Sequence, residues 1–162
     1  MAESPEPSPI ADDLVLLVQA CSAALGDRVL ADTRAVAEVR FNDGYVFQHL
    51  VPGPASVTEL ARALGVTQQA ASKQVADLER RGLVQRREDP ADRRARLVEL
   101  SATGHAAVEA ARDSRRAVAA EVAASLGEER AAELLDALRQ VSGALGAADV
   151  MAARRLRPEE ER

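Results

Sequence analysis

The sequence contains few of the residues that cross-links, metal sites and large aromatic cores require. Its 162 residues include one cysteine, Cys21, two histidines and no tryptophan. A single cysteine excludes an intrachain disulfide framework and a cysteine-rich zinc site. The two histidines are too far apart in sequence to form a ligand cluster. We therefore expect neither a metal nor a cofactor.

Long apolar runs and enzyme motifs are also lacking. The longest apolar runs, such as Leu14 to Val18, are too short to span a bilayer, and no secretory signal pattern opens the chain. The sequence contains no GxSxG, no HExxH and no phosphate-cradling glycine loop, and neither histidine is paired with a nucleophile. These absences favour a cytoplasmic protein that is not an enzyme and has no membrane partner.

Aromatic residues are only 2% of the chain, and all of them occur close together. Phe41, Tyr45 and Phe47 lie within seven residues, and His49 follows. The rest of the core must therefore be built from Leu, Val and Ala. Such a core suits closely packed helices better than a β-sandwich.

Hydrophobic periodicity divides the chain into regions. Residues 1–9 are rich in Pro, Ser and Glu and are predicted to be a disordered tail. Residues 10–50 are predicted to form N-terminal helices. The first has an apolar face that includes Leu14, Val18 and Cys21, and the second covers about 43–50, with Asn42 or Asp43 as its N-cap.

The C-terminal third is predicted to be helical as well. Residues 101–148 begin at Ser101, a candidate cap, and contain a long alanine-rich helix that Gly127 interrupts. The final helix, about 128–146, carries apolar residues at spacings of four, three and four, which is typical of a coiled-coil seam. These residues are Leu134, Leu138, Val141 and Leu145. Residues 149–162 form a charged tail.

The middle region, residues 51–100, predicts a winged helix-turn-helix. One amphipathic helix begins at Ser56, Gly65 fits its C-terminal cap, and Thr67 fits the N-cap of a second helix. Two strand candidates at 83–87 and 95–100 flank the segment EDPADRR, which is typical of a hairpin loop. The fold class is therefore mainly α with a small β-hairpin wing.

Charge and polar side chains make this region a candidate DNA-binding surface. The net charge is −5, yet residues 65–100 carry eight Lys and Arg against six Asp and Glu. Glutamine can bond adenine bidentately, serine can donate to phosphate or base, and lysine can bond phosphate or guanine. The alternative is an ordinary solvent-facing helix. The candidate contacts on the second helix are Thr67, Gln68, Gln69, Ser72 and Lys73, the only lysine of the chain.

The hairpin loop is the second candidate DNA contact. It carries three arginines within four residues, and such a tip can enter a narrow minor groove. The alternative is a salt-bridged, solvated turn. The candidate residues are Asp92, Arg93, Arg94 and Arg96.

Residues 56–104, SVTELARALGVTQQAASKQVADLERRGLVQRREDPADRRARLVELSATG, resemble the winged-helix core of MarR-type transcriptional regulators. The most specific elements are Asp92-Arg93-Arg94 and the ending from Leu100 to Gly104, and the resemblance extends over about 10–146. It implies that the helix at 67–81 enters the major groove and that Arg94, held by Asp92, contacts the minor groove. It also implies an obligate homodimer through the terminal helices, including Leu14, Val18 and the 134/138/141/145 seam.

The resemblance further implies a small ligand between the terminal helices and the winged helix. The candidate ligand-binding residues are Arg40, Phe41, Tyr45 and His49, which we expect on the second helix as one wall of this cleft. Their chemistry suits an aromatic or anionic ligand. The alternative is that most of this cluster simply packs the second helix into the core. Phe41 also departs from the proline that related sequences often carry at this position.

The sequence thus predicts a homodimeric transcriptional regulator, a repressor that a small ligand releases from a pseudo-palindromic operator in double-stranded DNA. Two alternatives stay open. One is a redox-sensing regulator that acts through Cys21, although a cysteine on an apolar stripe commonly behaves as a small inert hydrophobe. The other is a winged-helix protein-interaction module that does not bind DNA.

Overall fold

Over the residues that the structure describes, the fold consists of six helices and a small three-stranded antiparallel sheet. The computed structural model describes residues 9–92 and 95–146, with only the helical backbone described for residues 9–12. The helices are α1 (Pro9–Arg34), α2 (Asp43–Leu50), α3 (Val57–Leu64), α4 (Gln68–Arg80), α5 (Ala102–Leu126) and α6 (Glu128–Ala144). The strands are β1 (Ala55–Ser56), β2 (Val84–Glu88) and β3 (Arg96–Leu100). The predicted fold class is confirmed.

Local capping explains how the helix-turn-helix begins and turns. The Ser56 hydroxyl accepts the Glu59 amide N–H, and the Glu59 carboxylate accepts the Ser56 amide N–H, which forms a complete capping box. Gly65 ends α3 with φ of 67°, a left-handed conformation that favours glycine. Thr67 then caps α4 by accepting the Ala70 amide N–H. The predicted caps at Gly65 and Thr67 are confirmed, and the capping box at Ser56 was not predicted.

The wing is a hairpin whose central strand is β3. It pairs with β2 on one side, with Val84 opposite Leu100, and with β1 on the other, with Ala55 opposite Val98. The two predicted strands are therefore present, each within one residue of its expected start. The third, β1, was not predicted because two residues after a proline carry no strand pattern of their own and pair only through tertiary contact.

The core lies beneath the winged helix rather than between the terminal helices. Its fully buried residues come from α2, α3, α4 and the hairpin, and they include Val46, Leu60, Leu64, Val75, Leu78, Leu83 and Val98. In contrast, α6 has no buried residue along the described chain. The terminal helices therefore contribute little to the interior of a single chain.

Helix α1 packs antiparallel against α5 through two polar contacts. Arg28 makes a bidentate ion pair with Glu121 at 2.5 and 2.6 Å, and the buried Ser114 hydroxyl donates to Asp32 at 2.6 Å. Because α5 ends at Leu126, little more than one turn beyond Glu121, the first half of α1 extends past it. This explains why all five residues from Leu14 to Val18 are exposed.

Helix α2 covers 43–50 as predicted, but the expected side-chain cap at its start is missing. Asn42 occupies the N-cap position with helical backbone angles, and its side chain makes no capping hydrogen bond. Asp43 is instead buried inside the first turn, where its carboxylate accepts the Arg40 amide N–H at 2.7 Å. A second correction concerns Arg40 and Phe41, which precede this helix rather than lying on it.

The helix α1 begins at Pro9, so the predicted tail over residues 1–9 is one residue too long, and its remainder lies outside the described residues. The predicted charged tail, 149–162, also lies outside them. Of the described chain, only Asp13–Arg34 is long and apolar enough to cross a membrane by length and composition. A helix that buries its apolar face in a protein interface passes the same test.

Candidate nucleic-acid interface

Helix α4 has one buried face and one polar face. Ala71, Val75 and Leu78 are each no more than 1% exposed, which anchors the helix on the core as the sequence predicted. The opposite face of its first two turns is exposed and forms a shallow depression. The depression is lined by Gln68, Gln69, Ser72, Lys73 and Ala76. Four of the five predicted contacts on this helix therefore lie together on one surface.

The polar groups of this depression are largely unused by the protein itself. The Gln68 side-chain amide donates to the Thr58 hydroxyl at 3.2 Å, which links α3 to α4. The side-chain oxygen of Gln68 accepts no hydrogen bond from the described residues. Within the part of the chain that the structure describes, Gln69, Ser72 and Lys73 have no side-chain hydrogen bond or ion pair. The Thr67 hydroxyl, although it accepts in the cap, still has its proton to donate. The surface thus presents donors and acceptors to an external partner.

The last turn of α4 has the opposite character, because its charges are paired internally. Arg81 has a side chain only 4% exposed, and its guanidinium contacts Asp43 at 2.6 and 3.0 Å, Asp77 at 2.8 Å and the Glu38 carbonyl oxygen at 2.8 Å. The hydrogen bond to Asp43, the largest cause, raises the pKa of Arg81 further above its usual range. This buried ion pair attaches the end of α4 to the start of α2.

Asp77 lies at the centre of this charge cluster. Its carboxylate accepts from Arg81 and Arg80 at the end of its own helix and from Arg40 of the α1–α2 connection, the last at 2.9 Å. Partial burial favours the protonated acid, but the hydrogen bond from Arg81 and the three positive charges outweigh it and lower the pKa of Asp77. Asp77 therefore stays ionised at neutral pH.

The wing loop is partly described, and its arginine tip is not. Asp89 accepts the Ala91 amide N–H through its side chain at 2.8 Å, and backbone bonds join Asp89 to Ala95 and Ala95 to Asp92. The exposed Asp92 therefore stands in a tight turn at the end of the hairpin. Arg93 and Arg94 lie outside the described residues, so their predicted roles stay predictions.

Arginines of the two wing strands are paired with glutamates. Arg96 lies opposite Glu88 in the ladder and approaches it to 3.3 Å, while Arg86 bonds Glu79 at 3.1 Å. Exposed pairs of this kind contribute little energy, and phosphate can compete for the arginine. The salt-bridged turn considered as the alternative therefore applies to Arg96, whose charge is partly neutralised by Glu88.

A large apolar cavity separates the winged helix from the terminal helices. It has a volume of about 780 Å³ and is lined by residues of α1, α2, α5 and α6 and of the α1–α2 connection. Arg40, Phe41 and Tyr45 contribute to the lining, as predicted, and the two rings make an edge contact with centroids 6.4 Å apart. His49 is not among the residues that line this cavity, so its predicted role as a ligand contact gains no support from it.

The alternative of core packing holds for part of the aromatic cluster. Val46, Phe47 and Leu50 are buried in the core, whereas Phe41 is 65% exposed. Sequence reasoning also missed four residues of this area, which are Asp43, Asp77, Arg81 and Arg115. Their types gave no signal, since an Asp or Arg on an amphipathic helix commonly faces solvent, and only tertiary packing brings them to the charge cluster or to the cavity.

The predicted dimer residues are all exposed in the single chain. Leu14, Val18, Leu134, Leu138, Val141 and Leu145 have 40–76% of their surface accessible. Contiguous apolar surface of this extent is uncommon on monomers. Cys21 is exposed as well, so it is not a buried core cysteine within one chain.

The helix-turn-helix of α3 and α4 and the hairpin that follows it define a winged helix-turn-helix fold. Residues 42–95 match the model of the MarR family. No curated protein matches the sequence. The resemblance inferred from residues 56–104 is thereby confirmed over the helix-turn-helix and most of the wing.

Solved structures share the fold over nearly their whole length. The chain is similar to Rv1404 from Mycobacterium tuberculosis, with 23% identity, a TM-score of 0.74, and coverage of 89% of this chain and 98% of that one. It is also similar to a mutant of MepR from S. aureus bound to an oligodeoxyribonucleotide, with 20% identity, a TM-score of 0.63, and 82% and 97% coverage. S. aureus MepR bound to ethidium bromide gives 20% identity, a TM-score of 0.63, and 88% and 99% coverage. The terminal helices therefore belong to the same architecture as the winged helix.

Proposed function

We propose that this protein is a homodimeric, cytoplasmic transcription regulator that binds a pseudo-palindromic DNA operator and is released from it by a small ligand, as a repressor would be. The observation that carries the proposal is the division of α4. Its first half exposes Gln69, Ser72 and Lys73 without internal partners among the described residues, while its last turn is held by Arg81. A helix that is anchored at one end and polar at the other is suited to the major groove.

The DNA contacts fall into two kinds. Lys73 at the helix surface is suited to a phosphate, and Thr67 at the helix N-terminus can donate to another, where the helix dipole also favours an anion. Gln68, Gln69 and Ser72 are suited to base edges. In the wing, Arg94 is proposed to enter the minor groove with Asp92 orienting it, and Arg93 and Arg96 add positive charge beside it.

The dimer is proposed from the exposed apolar side chains of the terminal helices. The first half of α1 extends past α5 and leaves Leu14 to Val18 exposed, and α6 buries none of its own described residues. A second copy would cover both surfaces over more than about 2,000 Å² in total, as in obligate dimers. The two α4 helices would then lie about one helical turn of DNA apart.

The ligand is proposed to occupy the 780 Å³ cavity, which lies within the range typical of small-molecule sites. Its rings and arginines suit an aromatic or anionic compound. MepR, a protein of the same fold, has been solved with the aromatic cation ethidium. The lining of this chain has the opposite charge preference, since it contains arginines and, among the described residues, no carboxylate.

Operator titration tests the proposal. Binding sites are first selected from random duplexes with purified protein, and affinity is then measured at several salt concentrations. Lys73→Ala should weaken binding to all sequences and reduce the salt slope by about one unit, because one phosphate contact is lost. Arg116→Ala, which removes an exposed and internally paired arginine of α5, is the matched control and should leave the slope unchanged.

The wing is tested separately. Arg94→Ala should cost about 1–3 kcal/mol, mostly on the selected operator, because the width of the minor groove depends on sequence. Asp92→Ala should lose less, since it would only orient Arg94. Wild-type affinity in Arg94→Ala would leave recognition to α4 alone. Failure of the wild-type protein to bind any duplex would favour the protein-interaction alternative.

The redox alternative has one supporting observation, the exposure of Cys21. Its immediate neighbours are Ala20 and Ser22, which supply no positive charge to stabilise a thiolate. Release of DNA by peroxide that a Cys21→Ser variant no longer shows would establish this alternative. Peroxide sensitivity that is equal in both proteins would exclude it.

A further inference from the structure

Arg40 belongs to two sites at once. Arg40 is one of the residues that line the cavity, and its guanidinium bonds Asp77 of α4 at 2.9 Å. No other residue of the described lining has an ion pair to the DNA-facing helix. The side chain is 56% exposed, so it can turn from one site to the other without leaving a buried position.

The charge of the cavity favours a particular ligand chemistry. Two arginines, Arg40 and Arg115, contribute to an otherwise apolar lining, and Arg115 makes no ion pair with any described residue. The Tyr45 hydroxyl is a further donor at the same wall. An organic anion with a bulky apolar body would satisfy the unpaired positive charge and bury its hydrocarbon surface.

We propose that Asp77 and an anionic ligand in the cavity compete for Arg40, so that ligand binding removes one of the contacts that position α4. This competition rests on the proposed function, because it specifies the class of the ligand and the residue that couples the cavity to the proposed DNA surface. Asp77 is ionised at neutral pH and is a real competitor for the guanidinium. Arg81 and Arg80 continue to hold Asp77 after Arg40 leaves, so α4 is repositioned rather than detached.

Thermodynamic linkage sets the size of the effect. An exposed ion pair contributes up to a factor of about five to an equilibrium constant. A ligand that breaks it can therefore weaken DNA binding by at most about fivefold through this contact. The coupling is reciprocal, so operator DNA should weaken ligand binding by the same factor.

Two fluorescent probes that share an aromatic body but differ in charge test the competition. Anilinonaphthalene sulfonate is an anion, and N-phenylnaphthylamine is neutral. In the full-length protein, Arg40→Gln should weaken sulfonate binding about five- to tenfold and leave the neutral probe unchanged, since a charge-assisted hydrogen bond is lost. Arg40→Lys should restore most of the sulfonate affinity. The control Arg116→Gln, beside Arg115 but outside the cavity, should change neither probe.

Asp77→Asn provides the second measurement. It should strengthen sulfonate binding about two- to fivefold, because the competitor for Arg40 is removed. Unchanged sulfonate binding in either Arg40→Gln or Asp77→Asn, with thermal unfolding as in the wild type, would overturn the proposal. So would an equal loss of both probes in Arg40→Gln. If one variant fails to fold, the other carries the test.

Operator binding measured with and without sulfonate tests the proposed function and the coupling role of Arg40 separately. Saturating sulfonate should weaken operator binding several-fold in the wild type and have no effect in Arg40→Gln. A protein that binds no DNA would refute the proposed function but leave the probe titrations valid. Operator binding that responds equally in wild type and Arg40→Gln would overturn the coupling role of Arg40 while the proposed function stands.

Discussion

The buried ion pair between Arg81 and Asp43 gives the sharpest prediction for stability. Both side chains are at most 5% exposed, and two N–O distances of 2.6 and 3.0 Å join them across α4 and the start of α2. Removing one partner of a buried pair costs about 3–5 kcal/mol, because the other charge stays buried without compensation. In Asp43→Ala, Asp77 still holds Arg81, so we expect the lower end, about 3 kcal/mol.

That loss should be visible as a fall of roughly 6–12 °C in melting temperature for a chain of this length. Urea unfolding followed by far-UV circular dichroism measures the free energy, at one fixed protein concentration because a dimer's stability depends on it. Asp113→Ala, which removes an exposed partner of Arg116, is the control and should cost at most about 1 kcal/mol.

A double variant checks the physical cause. If the penalty comes from the uncompensated charge, Asp43→Ala combined with Arg81→Met should cost clearly less than the sum of the two single changes. A cost below about 1 kcal/mol for Asp43→Ala, or strict additivity in the double variant, would refute the argument that this pair is a desolvated anchor for α4.

Other parts of the molecule give three further predictions. Gly104→Ala should lower the free energy of unfolding by about 1–3 kcal/mol, because an added Cβ would lie 2.1 Å from the Leu83 carbonyl oxygen. Urea unfolding measures this change. The free energy of unfolding should fall as the pH drops below about 5. Glu59 and Asp77 have lowered pKa values in the folded protein, so the unfolded chain binds protons at these groups first. Unfolding measured at several pH values checks this. Leu138→Glu should produce monomers in sedimentation velocity, and an unchanged dimer would contradict the proposed role of α6.

Much of the fold could be predicted from the sequence because the decisive signals are local. The capping box at Ser56, the left-handed Gly65 and the Thr67 cap depend on residues only a few positions apart, so short-range chemistry determines where α3 and α4 begin and end. The inward face of α4 follows equally from helical spacing. The polar face that we propose to contact DNA is simply the other side of that pattern.

The tertiary structure alone decided which charges are paired. Asp43 looks like a helix cap in the sequence, yet the tertiary fold brings the start of α2 to the end of α4 and makes Asp43 the buried partner of Arg81, 38 residues away. Arg40 and Asp77 are 37 residues apart and meet only because the same fold joins them. Long-range ion pairs have no periodicity, so composition and spacing cannot identify them. Local chemistry therefore determined the polar surface of this protein, and packing determined the contacts that hold it in place.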